Sequence, residues 1–78
     1  MPNSANKKEP TEIEKQFAFR IKSLRKLKGW TQEELAFRMD IEVSNLKKYE
    51  TCRQGLTLNT LKKIADAFEI SLPNLLDF

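Results

Sequence analysis

Histidine is absent from this sequence and cysteine occurs once, as Cys52. Without histidine the chain lacks the commonest general base and metal ligand. A lone cysteine rules out a disulfide within the chain. Cys52 stands beside Arg53, a neighbour that favours a thiolate, but no partner base is visible, and an unreactive thiol at a helix end accounts for it. Glycine and proline are also scarce, two and three among 78 residues, which excludes low-complexity and collagen-like architectures. No apolar run approaches the ~20 residues that cross a bilayer. The first residues, MPNSANKKEP, have no apolar stretch of the signal-peptide kind, so the expected location is the cytoplasm, with no membrane partner. The carboxylates are scattered and nothing pairs a nucleophile with a base. The chain is therefore not expected to be an enzyme, nor to hold a metal or cofactor.

What is present suits one small globular domain. Hydrophobic residues make up 40% of the chain, enough for a core that contributes only a few kcal/mol. The net charge is +3 and the pI about 9.2, an excess that permits nucleic-acid binding without requiring it. From Lys15 to Lys28 every charge is positive, while acids collect at residues 9 to 14 and at Glu33 and Glu34. On charge alone, a solvated helix face explains the basic run as well as a phosphate-facing surface does.

Residues 1–10 are polar and carry two prolines; they read as a flexible tail, whose Lys7 and Lys8 could touch a DNA backbone, although the simpler reading gives them no specific role. Residues 11–78 read as the folded domain. Thr11 and Glu14 form a capping box that starts a first helix. Its stripe of Ile13, Phe17, Ile21 and Leu24 keeps helical spacing, and Gly29 ends it as a left-handed cap. Phe19 lies off that stripe.

Thr31 and Glu34 make a second capping box, with Trp30 and Leu35 placed as a hydrophobic staple. Leu35, Ala36 and Met39 give this short helix one apolar face. Asp40-Ile41-Glu42 interrupts the pattern, and a further helix turns Leu46 and Tyr49 inward and Val43, Ser44, Asn45, Lys47 and Lys48 outward. Two short helices joined by three or four residues read as a helix-turn-helix. Thr57 then caps a fourth helix with Leu58, Leu61, Ile64, Ala65 and Phe68 inward. Leu56 with Leu61, and Ile70 with Leu75, are further staples. Ser71 caps a short fifth helix whose first turn accepts Pro73. Leu72, Leu76 and Phe78 exceed what so short a helix can bury, and a surplus of this kind points to a partner.

The stretch Thr31–Arg53, with Ile21–Arg25 before it and Glu50–Leu76 after it, resembles the phage repressor and Cro proteins, the XRE family. Three positions depart from that pattern: Asp40 replaces a turn glycine, Glu42 a Ser or Thr cap, and Cys52 a glycine. The resemblance implies a compact all-α, five-helix domain that binds double-stranded DNA. It further implies a transcriptional regulator of repressor/Cro or controller type, bound as a homodimer to a two-fold symmetric operator. Base-reading would fall to Glu42, Val43, Ser44 and Lys48. Lys48 suits guanine and Val43 a thymine methyl, whereas Ser44 is unselective; Glu42 suits either a cytosine amino group or a role that only repels phosphates and trims nonspecific affinity. Phosphates would be met by Gln32, Arg25, Asn45, Lys47 and Arg53. In the resembled proteins an arginine at the place of Arg25 pairs with the glutamate that ends the reading helix, here Glu50. Leu72, Leu76 and Phe78 would form the dimer interface, and no small-molecule ligand is expected. A second reading makes the chain an antitoxin-like module whose apolar C-terminus binds another protein.

Overall fold

The computed structural model describes residues 9–78; the expectations for Lys7, Lys8 and most of the N-terminal tail fall outside the described residues. Both capping boxes form. Thr11 Oγ1 accepts the Glu14 amide at 3.2 Å, while Glu14 Oε1 accepts the Thr11 amide at 2.8 Å. The same reciprocal pair closes at 3.1 and 2.9 Å between Thr31 and Glu34. They start α1 (Glu12–Lys28) and α2 (Gln32–Met39). A tight turn leads to α3 (Val43–Glu50), and a longer loop to α4 (Leu58–Phe68) and the single turn α5 (Leu72–Leu75). The fold is all-α, with five helices among the described residues, none long and apolar enough to cross a membrane.

The core is built where these helices meet. α2 packs on α3 and α4, α1 crosses α3, and α5 closes on α4. Phe17, Ile21, Leu35, Met39, Leu46, Ile64, Phe68 and Leu75 are buried at its centre, and Ala36 lets α2 and α3 approach closely. All the staple residues are in or against this core: Leu35 and Leu75 are buried, and Trp30, Leu56, Leu61 and Ile70 pack on it. Trp30 stacks on Phe68 with ring centres 5.4 Å apart and planes 12° from parallel.

In α1, α4 and α5, three residues lie other than their spacing predicts. Ile13 and Leu58 were expected inside, but they are 65% and 77% exposed. At 100° per residue each lies roughly 90° from the centre of its helix's buried face, and each sits in a first turn, where neighbours on one side are missing. Leu72 was expected outside but is half-buried against the core. Arg20 explains that shift: its Nε donates to the Leu75 carbonyl at 3.2 Å and its Nη2 to the Asn74 carbonyl at 2.7 Å. These bonds satisfy helix-end acceptors and hold α5 where Leu72 meets the core. Leu76 and Phe78 remain about half exposed, at 45% and 47%.

Left-handed residues end α1, α2 and α4, and one follows the end of α3. Gly29 takes φ 74°, as expected, but Asp40, Cys52 and Glu69 adopt φ 60°, 61° and 58° with side chains attached. Such a conformation costs a non-glycine residue roughly 1–2 kcal/mol. Glu69 is exposed, so Glu69→Gly should stabilise the domain by about 0.5–1 kcal/mol, or roughly 4 °C in thermal unfolding. Gly29→Ala should do the opposite: an added Cβ meets nothing within 4 Å, so only backbone strain acts. Equal melting temperatures for the two variants would contradict this account of the helix ends.

Candidate nucleic-acid interface

α3 has two unlike sides because three of its eight residues, Leu46, Tyr49 and Glu50, are buried. At 100° per residue, the direction opposite them runs through Ser44 and Lys48, with Lys47 beside them; all three are exposed. Thr51 continues that line, but its hydroxyl donates to the Lys47 carbonyl at 2.8 Å. Val43 was expected on the outer face and instead lies at its edge, half-buried against the core. Asn45 is half-buried on the opposite edge. Arg53 is exposed just beyond the helix.

The start of α3 is held weakly. Glu42 is its N-cap, and its side chain makes no capping bond, so its carboxylate stands exposed at the mouth of the helix. The turn before it is firm. Asp40 in the left-handed conformation directs its amide to the Ala36 and Phe37 carbonyls, and the Ile41 amide closes on Ala36 at 3.0 Å. Asp tolerates this conformation better than most residues, which is why the turn forms without glycine. At the far end, Cys52 is the left-handed residue that lets the Arg53 amide reach the Lys48 carbonyl at 2.8 Å. Its Sγ lies 3.5 Å from the Glu14 carbonyl, tying this end back to α1.

Behind the outer face sits a buried charge cluster. Glu50 is only 3% exposed. Its carboxylate accepts from Arg25 Nε at 2.9 Å, Arg25 Nη2 at 3.3 Å and Gln32 Nε2 at 2.9 Å. Arg25 Nη1 also donates to the Trp30 carbonyl at 3.1 Å. The fork-shaped guanidinium thus grips two carboxylate oxygens at once, a geometry lysine cannot reproduce. One acid from α3 binds one side chain from α1 and one from α2, so the three helices share a fixed orientation. The Arg25–Glu50 pair is the one the resemblance implied. The Gln32 bond departs from the phosphate contact expected of this residue; its signal is a polar residue one turn from the buried Leu35 and Ala36. Among the described residues, no buried side-chain nitrogen or oxygen lacks a partner.

The model of the helix-turn-helix family matches residues 21–75, a span that holds α2, α3, Arg25 and Glu50. Antitoxin HipB of Escherichia coli (strain K12) is 35% identical over 57 residues, which cover 73% of this chain and 65% of the antitoxin. This chain thus spans just under two thirds of that relative's length. Among solved structures, the restriction-modification controller protein C.AhdI from Aeromonas hydrophila superposes with a TM-score of 0.76 at 31% identity, covering 80% of this chain and 94% of its own. C.Esp1396I bound to a 25 base pair operator site gives 0.75 at 28% identity, covering 85% of this chain and 91% of its own.

Proposed function

The chain belongs to the helix-turn-helix family, and from that premise we propose that it is a sequence-specific DNA-binding transcriptional regulator acting as a homodimer on a two-fold symmetric operator. The observation that carries this reading is the division of α3. Its inner side is locked to two other helices through Glu50, and its outer side offers Ser44, Lys47 and Lys48 to a groove. A helix fixed in this way enters the major groove without first losing orientational freedom.

On the groove floor, Lys48 donates to guanine O6 or N7 and Ser44 meets either partner, while Glu42 accepts from a cytosine amino group. Val43 reaches a thymine methyl only from its edge position. Lys47, Asn45 and Arg53 flank these and meet phosphates, which set register without reading sequence. Arg25 and Gln32 act first as positioning residues. A guanidinium has five N–H donors, and three bonds to Glu50 and Trp30 leave two for a phosphate. Regulation follows from occupancy of the site, which blocks or recruits polymerase.

Selection of bound sites from random duplexes tests this reading. The expected result is a two-fold symmetric consensus with half-sites about 34–36 Å apart, one turn of DNA. Absence of enrichment over the starting pool would overturn it.

In this reading the dimer forms through Leu76 and Phe78, with Leu72 contributing only its outer edge. Sedimentation at micromolar concentration should give about twice the 9.1 kDa chain mass, and Leu76→Glu should shift it towards the monomer. A wild type that stays monomeric even on DNA would refute this interface. The same apolar end, together with the similarity to an antitoxin, favours the second reading, a module that binds another protein. Stoichiometric co-purification with a second protein, without retention on duplex DNA, would select it.

A further inference from the structure

The two most exposed large apolar side chains of the described residues belong to neither α3 nor α5: Phe37 on α2 at 84% and Leu27 on α1 at 82%. Neither takes part in the proposed reading or dimer surface. Leu27 and Phe19, itself 69% exposed, stand eight residues apart on the outer side of α1, roughly 12 Å along the axis. Ser23 between them is small, and the result is a shallow hollow lined by Phe19, Lys22, Ser23, Lys26 and Leu27. Phe19 and Leu27 make its two ends apolar, Ser23 lies between them, and Lys22 and Lys26 bring two positive charges.

Phe37 has the complementary form. It stands 84% exposed on α2, where Glu33, Glu34 and Arg38 border the same patch of surface, an apolar knob flanked by two negative charges and one positive. The cations at this edge lie over the Trp30 ring: the Arg38 guanidinium carbon is 4.1 Å from its centre and Lys28 Nζ 5.9 Å. We propose that Phe37 of one copy of this chain docks into the Phe19–Leu27 hollow of another, with Glu33 and Glu34 facing Lys22 and Lys26. Paired patches of opposite charge around apolar centres fix register and exclude like-charged alternatives. A knob and four or five lining residues bury far less than the ~1,000 Å² of a stable interface, so the contact is weak. It becomes populated at high concentration or where copies are already held side by side.

Complementation by mixing tests the pairing. Phe37→Ser removes the knob and leaves the hollow; Leu27→Ser spoils the hollow and leaves the knob. Both positions are exposed, so both variants should melt as the wild type does. Weight-average mass from sedimentation, followed from ~10 μM to ~1 mM, should keep rising for the wild type, with each variant associating at least about tenfold more weakly. An equimolar mixture of the two should regain part of the rise, because the hollow of one meets the knob of the other. Leu76→Glu should lower the starting mass without abolishing the rise, which separates failure of the α5 dimer from failure of this contact. A wild-type mass independent of concentration over that range, variants that associate like the wild type, or a mixture no better than either variant would each overturn the proposal.

Discussion

Arg25→Ala should lower the unfolding free energy by about 3–5 kcal/mol, the usual consequence of stripping the partner from a buried charge. The Glu50 side chain is 2% exposed and the Arg25 side chain 12%, so water cannot replace the guanidinium without opening the junction of α1, α2 and α3. Gln32 would remain as one neutral donor, which is too little to solvate a carboxylate. For a domain this small, whose total stability is on the order of 5 kcal/mol, the loss is most of the total, and it should appear as a drop of roughly 15 °C or more in thermal unfolding. Arg25→Lys should restore only part, since an ammonium cannot bridge both oxygens and still reach the Trp30 carbonyl. Combined with Glu50→Gln in a double-mutant cycle, the two changes should be strongly non-additive; simple additivity would mean that the pair does not act as a unit. Because the same cluster orients α3, DNA affinity should fall with stability even under conditions where the variant remains folded.

Affinity for duplex DNA should be steeply salt-dependent. If a dimer neutralises about eight phosphates through Lys47, Arg53 and their neighbours in both copies, log affinity against log salt should slope near −7. Between 50 and 200 mM salt that is a loss of about 10⁴-fold, larger than any single substitution on the outer face should produce. Binding measured across that range provides the check. A slope shallower than about −2 at measurable affinity would mean that the basic surface does not face DNA.

The features legible in the sequence were those set by local rules. Thr11, Thr31, Thr57 and Ser71 each cap a helix because a hydroxyl and an amide three residues on need nothing else to meet. The alternation of buried and exposed residues along α2 follows from helical period alone. Ile13 and Leu58 were misplaced because periodicity treats every turn as equally surrounded, and a first turn is not. Glu69 as a left-handed cap was not legible, since no residue-type signal marks it as glycine marks position 29. In the candidate site, Arg25–Glu50 was accessible through the family resemblance. The Gln32 bond and the half-burial of Val43 depend on how three helices cross, which spacing within one helix does not contain.

In the proposed complex the outer face of α3 reads bases, with Lys48 on the groove floor and Lys47 on its wall. A floor residue makes a contact that only some bases offer, so Lys48→Ala should cost about 1–3 kcal/mol on the preferred site alone. A wall residue makes a contact that every sequence offers, so Lys47→Ala should weaken preferred and random duplexes alike and reduce the salt slope by about one. Both side chains are exposed, so neither change should disturb the fold. The decisive measurement is the ratio of affinities for the selected site and a scrambled duplex, for both variants at one salt concentration. Lys48→Ala should narrow that ratio and Lys47→Ala should leave it unchanged; the reverse would contradict the account, placing α3 in the groove rotated about its own axis.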